Sequence, residues 1–188
     1  YNGAWSASNP LNTGGYFRGG AGNQTAALAF GGGPSSQPVG TATESYNGSW
    51  TTLGATLPSG KDAMTGAGTQ TSALSIGGTT GSTGLNTVET YNGSWTSAPT
   101  ITYGRVYFPG AGTTAAGLVF GGTNSPFTSA TETWDGSSWT TSSSVLASAR
   151  RKLAGAGSST AAFAAGGYNT QSATEEWNAG SSTVTFAS

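Results

Sequence analysis

The feature that most narrows what this chain can fold into is a phrase that returns along it. Thr87-Val-Glu-Thr-Tyr-Asn-Gly-Ser-Trp95 is written Thr41-Ala-Thr-Glu-Ser-Tyr-Asn-Gly-Ser-Trp50 upstream, Ala130-Thr-Glu-Thr-Trp-Asp-Gly-Ser-Ser-Trp139 downstream and Ala173-Thr-Glu-Glu-Trp177 near the end. A bare Tyr1-Asn-Gly-Ala-Trp5 opens the chain. Before each full copy runs a second phrase, Ala21-Gly-Asn-Gln-Thr-Ala-Ala-Leu-Ala-Phe-Gly-Gly32, whose counterparts end in Gly78, Gly122 and Gly167. The aligned glutamates set the period: Glu44 to Glu89 is 45 residues, and Glu89 to Glu132 and Glu132 to Glu175 are 43 each.

Each phrase reads as a hairpin. Alternating small, polar and aromatic residues run into Asn-Gly or Asp-Gly, which tolerate positive φ and suit a two-residue type I′ turn. Two hairpins per unit make four strands, and four strands at this period describe a blade of a β-propeller. One small twisted sheet cannot bury both its faces, whereas blades packed face to face around an axis can. The spacing places blades at about 16–53, 63–97, 106–141 and 152–186 within one domain, 1–188. In the last blade Ser182-Thr-Val-Thr-Phe186 takes the outer-strand position. Residues 1–8 are an extra outer-strand segment that either closes the ring or belongs to a preceding blade. No window shows apolar residues at helical spacing, and glycine interrupts every candidate, so the fold class is all-β.

Composition excludes several functions. Six basic and seven acidic residues in 188 leave no electrostatic footprint for nucleic acid or anionic membrane. No stretch approaches the roughly 18 to 20 apolar residues of a membrane-inserted helix. Histidine and cysteine are absent, which removes the commonest general base, the thiol nucleophile and thiolate metal sites. No cofactor is expected. The glycines end strands and do not open helices, so no phosphate-cradling loop is present. Two carboxylates can hydrolyse glycosides, but that chemistry needs them in different environments, and the four aligned glutamates are equivalent by repeat. The chain reads as a non-enzyme.

The order Gly77-Gly78, Glu89, Tyr91, Trp95, repeated from blade to blade, resembles the kelch repeat over essentially the whole chain. Tyr46 to Trp50 and Tyr91 to Trp95 stand closer than the family's Tyr-to-Trp interval, so the class is a kelch-like β-propeller. The copper chemistry of kelch-like galactose oxidase needs His and a Cys-crosslinked Tyr, which this sequence lacks. The wording Gly-Ala-Gly-Thr-Gln-Thr and Ala-Thr-Glu-Glu-Trp further resembles repeats in structural and appendage proteins of tailed phages, notably marine ones. That resemblance implies a virion or extracellular location. The implied partners are other protein chains, self or appendage subunits, together with cell-surface glycans, and neither nucleic acid nor membrane insertion.

Glu44, Glu89, Glu132 and Glu175 share one register, and Lys61, Arg105 and Arg150 share another, with Gly15 at that place in blade one and Arg18 three residues on. Two readings stand: a charged ring that binds an ion or anionic ligand, or repeated bridges tying outer hairpins to neighbouring inner strands. Trp5, Trp50, Trp95 and Trp139 read either as sugar-stacking platforms or as packing between blades. The loops between second and third strands vary most among the copies. They carry Phe127 and Tyr168, and should share a face with Lys61, Arg105, Arg150 and Arg151, making these the candidate ligand-binding residues. The sequence therefore points to a non-catalytic binding or structural module in a phage or extracellular appendage, for assembly or host-surface attachment. A secreted lectin-like propeller is the alternative.

Overall fold

A computed structural model of the chain describes residues 3–33, 39–168 and 172–180. The molecule is a four-bladed β-propeller of antiparallel sheets with no helix among the described residues. Blade one holds β1 (Gly19–Gly22), β2 (Ala27–Phe30), β3 (Thr43–Tyr46) and β4 (Trp50–Thr52), paired in that order. Blade two repeats the meander with β5 (Thr65–Gly68), β6 (Ala73–Ile76), β7 (Val88–Tyr91) and β8 (Trp95–Ala98). Blade three has β9 (Gly110–Gly112), β10 (Gly117–Phe120), β11 (Thr131–Trp134) and β12 (Trp139–Thr141). Blade four contributes β13 (Ala154–Gly157), β14 (Ala161–Ala165) and β15 (Thr174–Asn178). Its expected outer strand, 182–186, lies outside the described residues.

The outer hairpin departs from the turn expected of Asn-Gly. Tyr46 pairs with Trp50 and Tyr91 with Trp95, so three residues bridge the strands, and only Gly48 and Gly93 take positive φ. A type I′ turn would need positive φ at two successive residues, and Asn47 and Asn92 do not supply it. In blade three the loop has four residues, and the Asp135 carboxylate accepts hydrogen bonds from the Ser137 and Ser138 amides at 2.8 and 2.7 Å. These bonds hold the exposed Asp135 carboxyl well below the usual carboxylate range.

Three apolar clusters lie between blades. Leu28 and Phe30 of blade one meet Ala73, Tyr91 and Trp95 of blade two. Leu74 and Ile76 of blade two meet Val119 and Trp134 of blade three, and Leu118 and Phe120 of blade three meet Ala162 and Ala164 of blade four. Burying each Leu, Ile or Phe side chain contributes about 1.5 to 3 kcal/mol. β6 and β10 are buried at every position, whereas β14 alternates, because blade four packs on one side. The inner strands meet in succession, β1 with β5, β5 with β9 and β9 with β13. They approach so closely that a Cβ on Gly66 would stand 2.2 Å from the Gly20 carbonyl. Pro109 falls just before β9 and needs no ladder donor.

The paired glycines have a sharper reason. Gly31, Gly77 and Gly121 turn the chain at φ of 63, 63 and 65°, and a Cβ there would meet the carbonyl of Lys61, Arg105 or Arg150 at 2.7 to 2.8 Å. Replacing Gly77 by alanine imposes the left-handed conformation and a clash with the Phe108 ring as well. Chemical denaturation of Gly77→Ala is expected to show a loss of about 2 to 4 kcal/mol, against less than about 0.5 for Gly54→Ala at an open, exposed site.

Candidate functional site

Each glutamate of the repeated register meets one cation of its own blade. Arg18 Nη1 lies 2.9 Å from Glu44, Lys61 Nζ 2.5 Å from Glu89 and Arg150 Nη2 2.7 Å from Glu175, and Arg105 pairs with Glu132 in the same way. The pairs join the connector before the inner strand to the third strand of the same repeat, not to a neighbouring blade. Arg105 Nη1 also donates to the Gly121 and Ala130 carbonyls at 3.0 and 2.9 Å, and Arg150 Nη1 to those of Gly166 and Ala173. Connector amides complete the acceptors: Asn12 and Thr13 donate to Glu44, Thr102 and Tyr103 to Glu132, and Ala147 to Glu175. In blade one Gly15 leaves the usual cation place empty, and Arg18 reaches the same carboxylate from three residues further on.

The link to the neighbouring blade runs through the main chain of the same cations. Gly32, Gly78 and Gly122 donate to the carbonyls of Lys61, Arg105 and Arg150 at 2.9, 3.0 and 2.8 Å. One residue thus holds the preceding blade by its backbone and its own blade by its side chain. Lys61, Arg105 and Arg150 are fully buried, so none of these ligand-binding candidates reaches the open mouth. Their terminal nitrogens are engaged by their own blades, while Arg150 Nε is buried without an acceptor. Burial lowers the Lys61 and Arg105 pKa from their ordinary values, opposed by the carboxylates of Glu89 and Glu132. Burial alone would raise the Glu44 pKa. The Arg18 hydrogen bond, the Asn12 and Thr13 amides and the Arg18 charge outweigh it and hold that carboxyl below its ordinary value.

The mouth is built at the register just before the inner strands. Phe17, Ala63, Tyr107 and Lys152 all take left-handed φ, between 52 and 57°. Ala63 donates to Phe17 O, Tyr107 to Ala63 O and Lys152 to Tyr107 O, a ladder of 2.8 to 3.2 Å bonds stepping from blade to blade. This conformation is costly for non-glycine residues, and four repeats of it project side chains around the axis. Phe17 and Tyr107 meet edge to face at 5.3 Å, and Lys152 Nζ lies 5.2 Å from the Tyr107 ring.

Around them stand the variable loops. Phe127 and Tyr168 are brought together, edge to face at 5.8 Å. The Arg151 guanidinium sits 5.0, 5.3 and 5.9 Å from the rings of Phe127, Tyr168 and Tyr107. Neither Arg151 nor Lys152 has a carboxylate partner among the described residues, and Arg151 Nε is buried without an acceptor. A cleft of about 520 Å³ opens beside this box, lined by Thr79, Gly84, Tyr107, Asn124, Phe127 and Arg151 among others. Gly84 N donates to Asn124 Oδ1 at 2.8 Å, tying two of the loops together. Burial raises the Asp62 pKa at the register position matching Arg151. The contributions of Phe17 and Tyr107 were missed in the sequence, although their alignment with Ala63 and Lys152 ahead of the inner strands was available as a signal.

The tryptophans part ways. Trp95 is buried against Phe30 at 4.8 Å and donates from Nε1 to Thr43 Oγ1, and Trp139 packs at the edge of the cluster between blades two and three. Trp50 is half-buried on the outward face of blade one, and Trp5 is fully exposed. Among the described residues no group of three His, Cys, Asp or Glu side chains could hold a metal ion, and no helix is long and apolar enough to cross a membrane.

Fold and site together define a β-propeller whose charged register is internal and whose loops form a cationic, aromatic mouth. Comparison with protein-family profiles and with curated protein sequences finds no match.

Two outcomes follow for the ion pairs. Glu132→Gln leaves the Arg105 guanidinium buried without its counter-charge and should lower stability by about 3 to 5 kcal/mol in denaturant melts. Because the Glu44 pKa is lowered on folding, its contribution is present above the unfolded carboxylate pKa and is lost as pH falls through the folded one. Urea midpoints measured down that acid range should fall more steeply for the native chain than for Glu44→Gln.

Proposed function

We propose that this protein is a non-catalytic, kelch-like binding module of an extracellular or virion appendage, of the phage type its repeats resemble, serving assembly or host-surface attachment. The observation that carries this reading is the Arg151 box, an unpaired cation held by Tyr107, Phe127 and Tyr168 at the edge of an open cleft. The four aligned glutamates are engaged by buried cations, which leaves them poorly placed to act as acid and base. A guanidinium with free donor capacity, flanked by aromatic faces, suits a ligand that is anionic and carries ring or sugar faces to stack. Cell-surface glycans with carboxylate or sulfate groups have that chemistry.

The lectin-like reading is favoured by one further observation, the exposure of Tyr16, Phe17 and Tyr168. It differs in expecting neutral sugars to suffice. A glycan array carrying acidic and neutral glycans separates the two. Binding confined to acidic glycans and weakened at least about tenfold by Arg151→Ala, without loss of melting temperature, supports the proposal. Equal binding of neutral glycans, indifferent to Arg151→Ala, supports the lectin. Silence across the array, with unchanged assembly, removes the attachment role.

A further inference from the structure

Blade three departs from the repeat at two positions that flank one loop. Two residues before its buried cation stands Tyr103, where blades two and four carry Ser59 and Ser148. Gly40, Leu85 and Thr128 donate to the carbonyls of Gly32, Gly78 and Gly122 and so share one register. The residue before them is Val39 in blade one, Gly84 in blade two and Phe127 in blade three. Tyr103 is anchored through its main chain: its amide donates to Glu132 Oε1 at 3.3 Å, and its carbonyl accepts from Arg105 Nε at 3.2 Å. A serine would make both bonds, so the framework does not need the ring. The Arg105 guanidinium stands 6.0 Å from the ring centroid, at the outer limit of a cation–π contact, and Tyr103 remains 48% exposed.

The loop 123–128 is a partition between two clefts. On its axial side lies the cleft of about 520 Å³ with Tyr107 and Arg151, and on its other side a second of about 470 Å³ is lined by Thr102, Tyr103, Asn124, Pro126, Phe127 and Thr128. Asn124 and Phe127 line both. Each cleft alone falls within the roughly 300 to 1,000 Å³ of small-molecule sites. Asn124 Oδ1 accepts the Gly84 amide at 2.8 Å, which orients the side chain and leaves Nδ2 without an acceptor among the described residues. The clefts differ in charge. Arg151 brings a guanidinium whose Nε is buried without an acceptor, whereas no charged side chain among the described residues lines the second cleft. That cleft offers the Tyr103 ring and two hydroxyls. Thr102 Oγ1 already accepts from Thr141 Oγ1 at 3.2 Å and Thr128 Oγ1 from the Ala130 amide at 3.0 Å, so each keeps its own proton to donate.

We propose that the ligand of this mouth is an acidic oligosaccharide of at least two units bound across the partition, its anionic unit at Arg151 and a neutral sugar on the Tyr103 ring. The proposal rests on the reading of the Arg151 box as an anionic-glycan site and extends it from one unit to a chain of stated order. A sugar ring has a C–H face that packs on an exposed aromatic ring and a rim of hydroxyls that accept from an amide or a hydroxyl. Tyr103 supplies the first, and Asn124, Thr102 and Thr128 supply the second. The order of the units follows from charge. An acidic unit on Tyr103 would meet no counter-charge, since Arg105 beneath it is buried and engaged by Glu132. A neutral unit over Arg151 would take water from the guanidinium and return no charge in its place.

Titration calorimetry on the native chain tests this with matched probes: glucuronic acid, N-acetylneuraminic acid and galactose 6-sulfate, each alone and joined to one or two neutral hexoses. In at least one pair the added hexose should raise affinity at least about tenfold. Tyr103→Ala should cancel that gain while leaving affinity for the acidic unit alone within about twofold, which also shows that the fold is kept. Tyr103→Phe keeps the ring and should keep the gain. Arg151→Ala should weaken both members of the pair at least about tenfold. A gain that survives Tyr103→Ala, or no gain in any pair, would overturn the two-part site and leave the Arg151 reading standing. Binding of the extended probes that is indifferent to Arg151→Ala overturns that reading instead, and silence from every probe removes both. Tighter binding of a Glu-rich peptide than of every glycan probe would assign the mouth to a protein partner and overturn the proposal.

Discussion

The arrangement hangs on one residue per junction, the cation at Lys61, Arg105 and Arg150. Its carbonyl accepts from the diglycine of the blade before it and its side chain pairs with the glutamate of its own blade. A buried ion pair returns little net stability, because two desolvated charges must be repaid by their mutual attraction. It is intolerant of misplacement, and that intolerance is its use here. A strand slipped by one residue would turn Glu89 or Glu132 to the opposite face and strand Lys61 or Arg105 without a partner. In sheets made largely of glycine, alanine, serine and threonine, side-chain shape alone specifies register weakly, and the pair supplies what shape does not.

The glycines take their places from the same junction. The diglycine turn must bring an amide onto the cation's carbonyl, and the carbonyl's approach leaves no room for a Cβ. The left-handed residues that follow the cation continue the contact with a second backbone bond, from Ala63 to Phe17 and onward to Lys152. A strained conformation repeated at one register is therefore a consequence of joining blades by main chain. It also decides the character of the mouth: whatever side chain stands there is turned toward the axis. Phe17, Tyr107 and Lys152, with Arg151 beside them, make that mouth aromatic and cationic in a chain whose Lys61, Arg105 and Arg150 are buried.

Much of this was legible in the sequence. The period of the glutamates fixed the blade count, and the aromatic and Gly-Gly phrases located β2, β3 and their counterparts to within a few residues. Phe127 and Tyr168 were singled out because their loops differ between copies, and they meet. A repeated Lys or Arg cannot disclose which way its side chain points, and Lys61, Arg105 and Arg150 turn inward to satisfy carboxylates on strands that only the fold brings near. Arg18 was visible as an irregularity, but that it serves Glu44 depends on a path around Gly15 that spacing does not encode. The turn at Asn47-Gly48 was misjudged for a related reason. Asn-Gly favours the two-residue loop when nothing else intervenes, and here the pairing of Tyr46 with Trp50 sets the loop at three.

The polarity of the interfaces has a consequence for the whole molecule. Leu28 and Phe30, Leu74 and Ile76, and Leu118 and Phe120 all project toward the following blade, and the positions receiving them are small or β-branched: Ala73 and Ser75, Gly117 and Val119, Ala162 and Ala164. Large side chains entering a face of small ones fit in one direction only, because two large faces would overfill the gap and two small ones would leave it void. Blades of this kind cannot pair face to face symmetrically. They add in sequence, each offering the next an unlike surface, which makes the junction directional whether the two blades belong to one chain or to two. Blade four keeps that direction while losing bulk, with Phe163 and Ala165 where the others carry two large residues. Its projecting face is correspondingly shallower than those of the three blades before it.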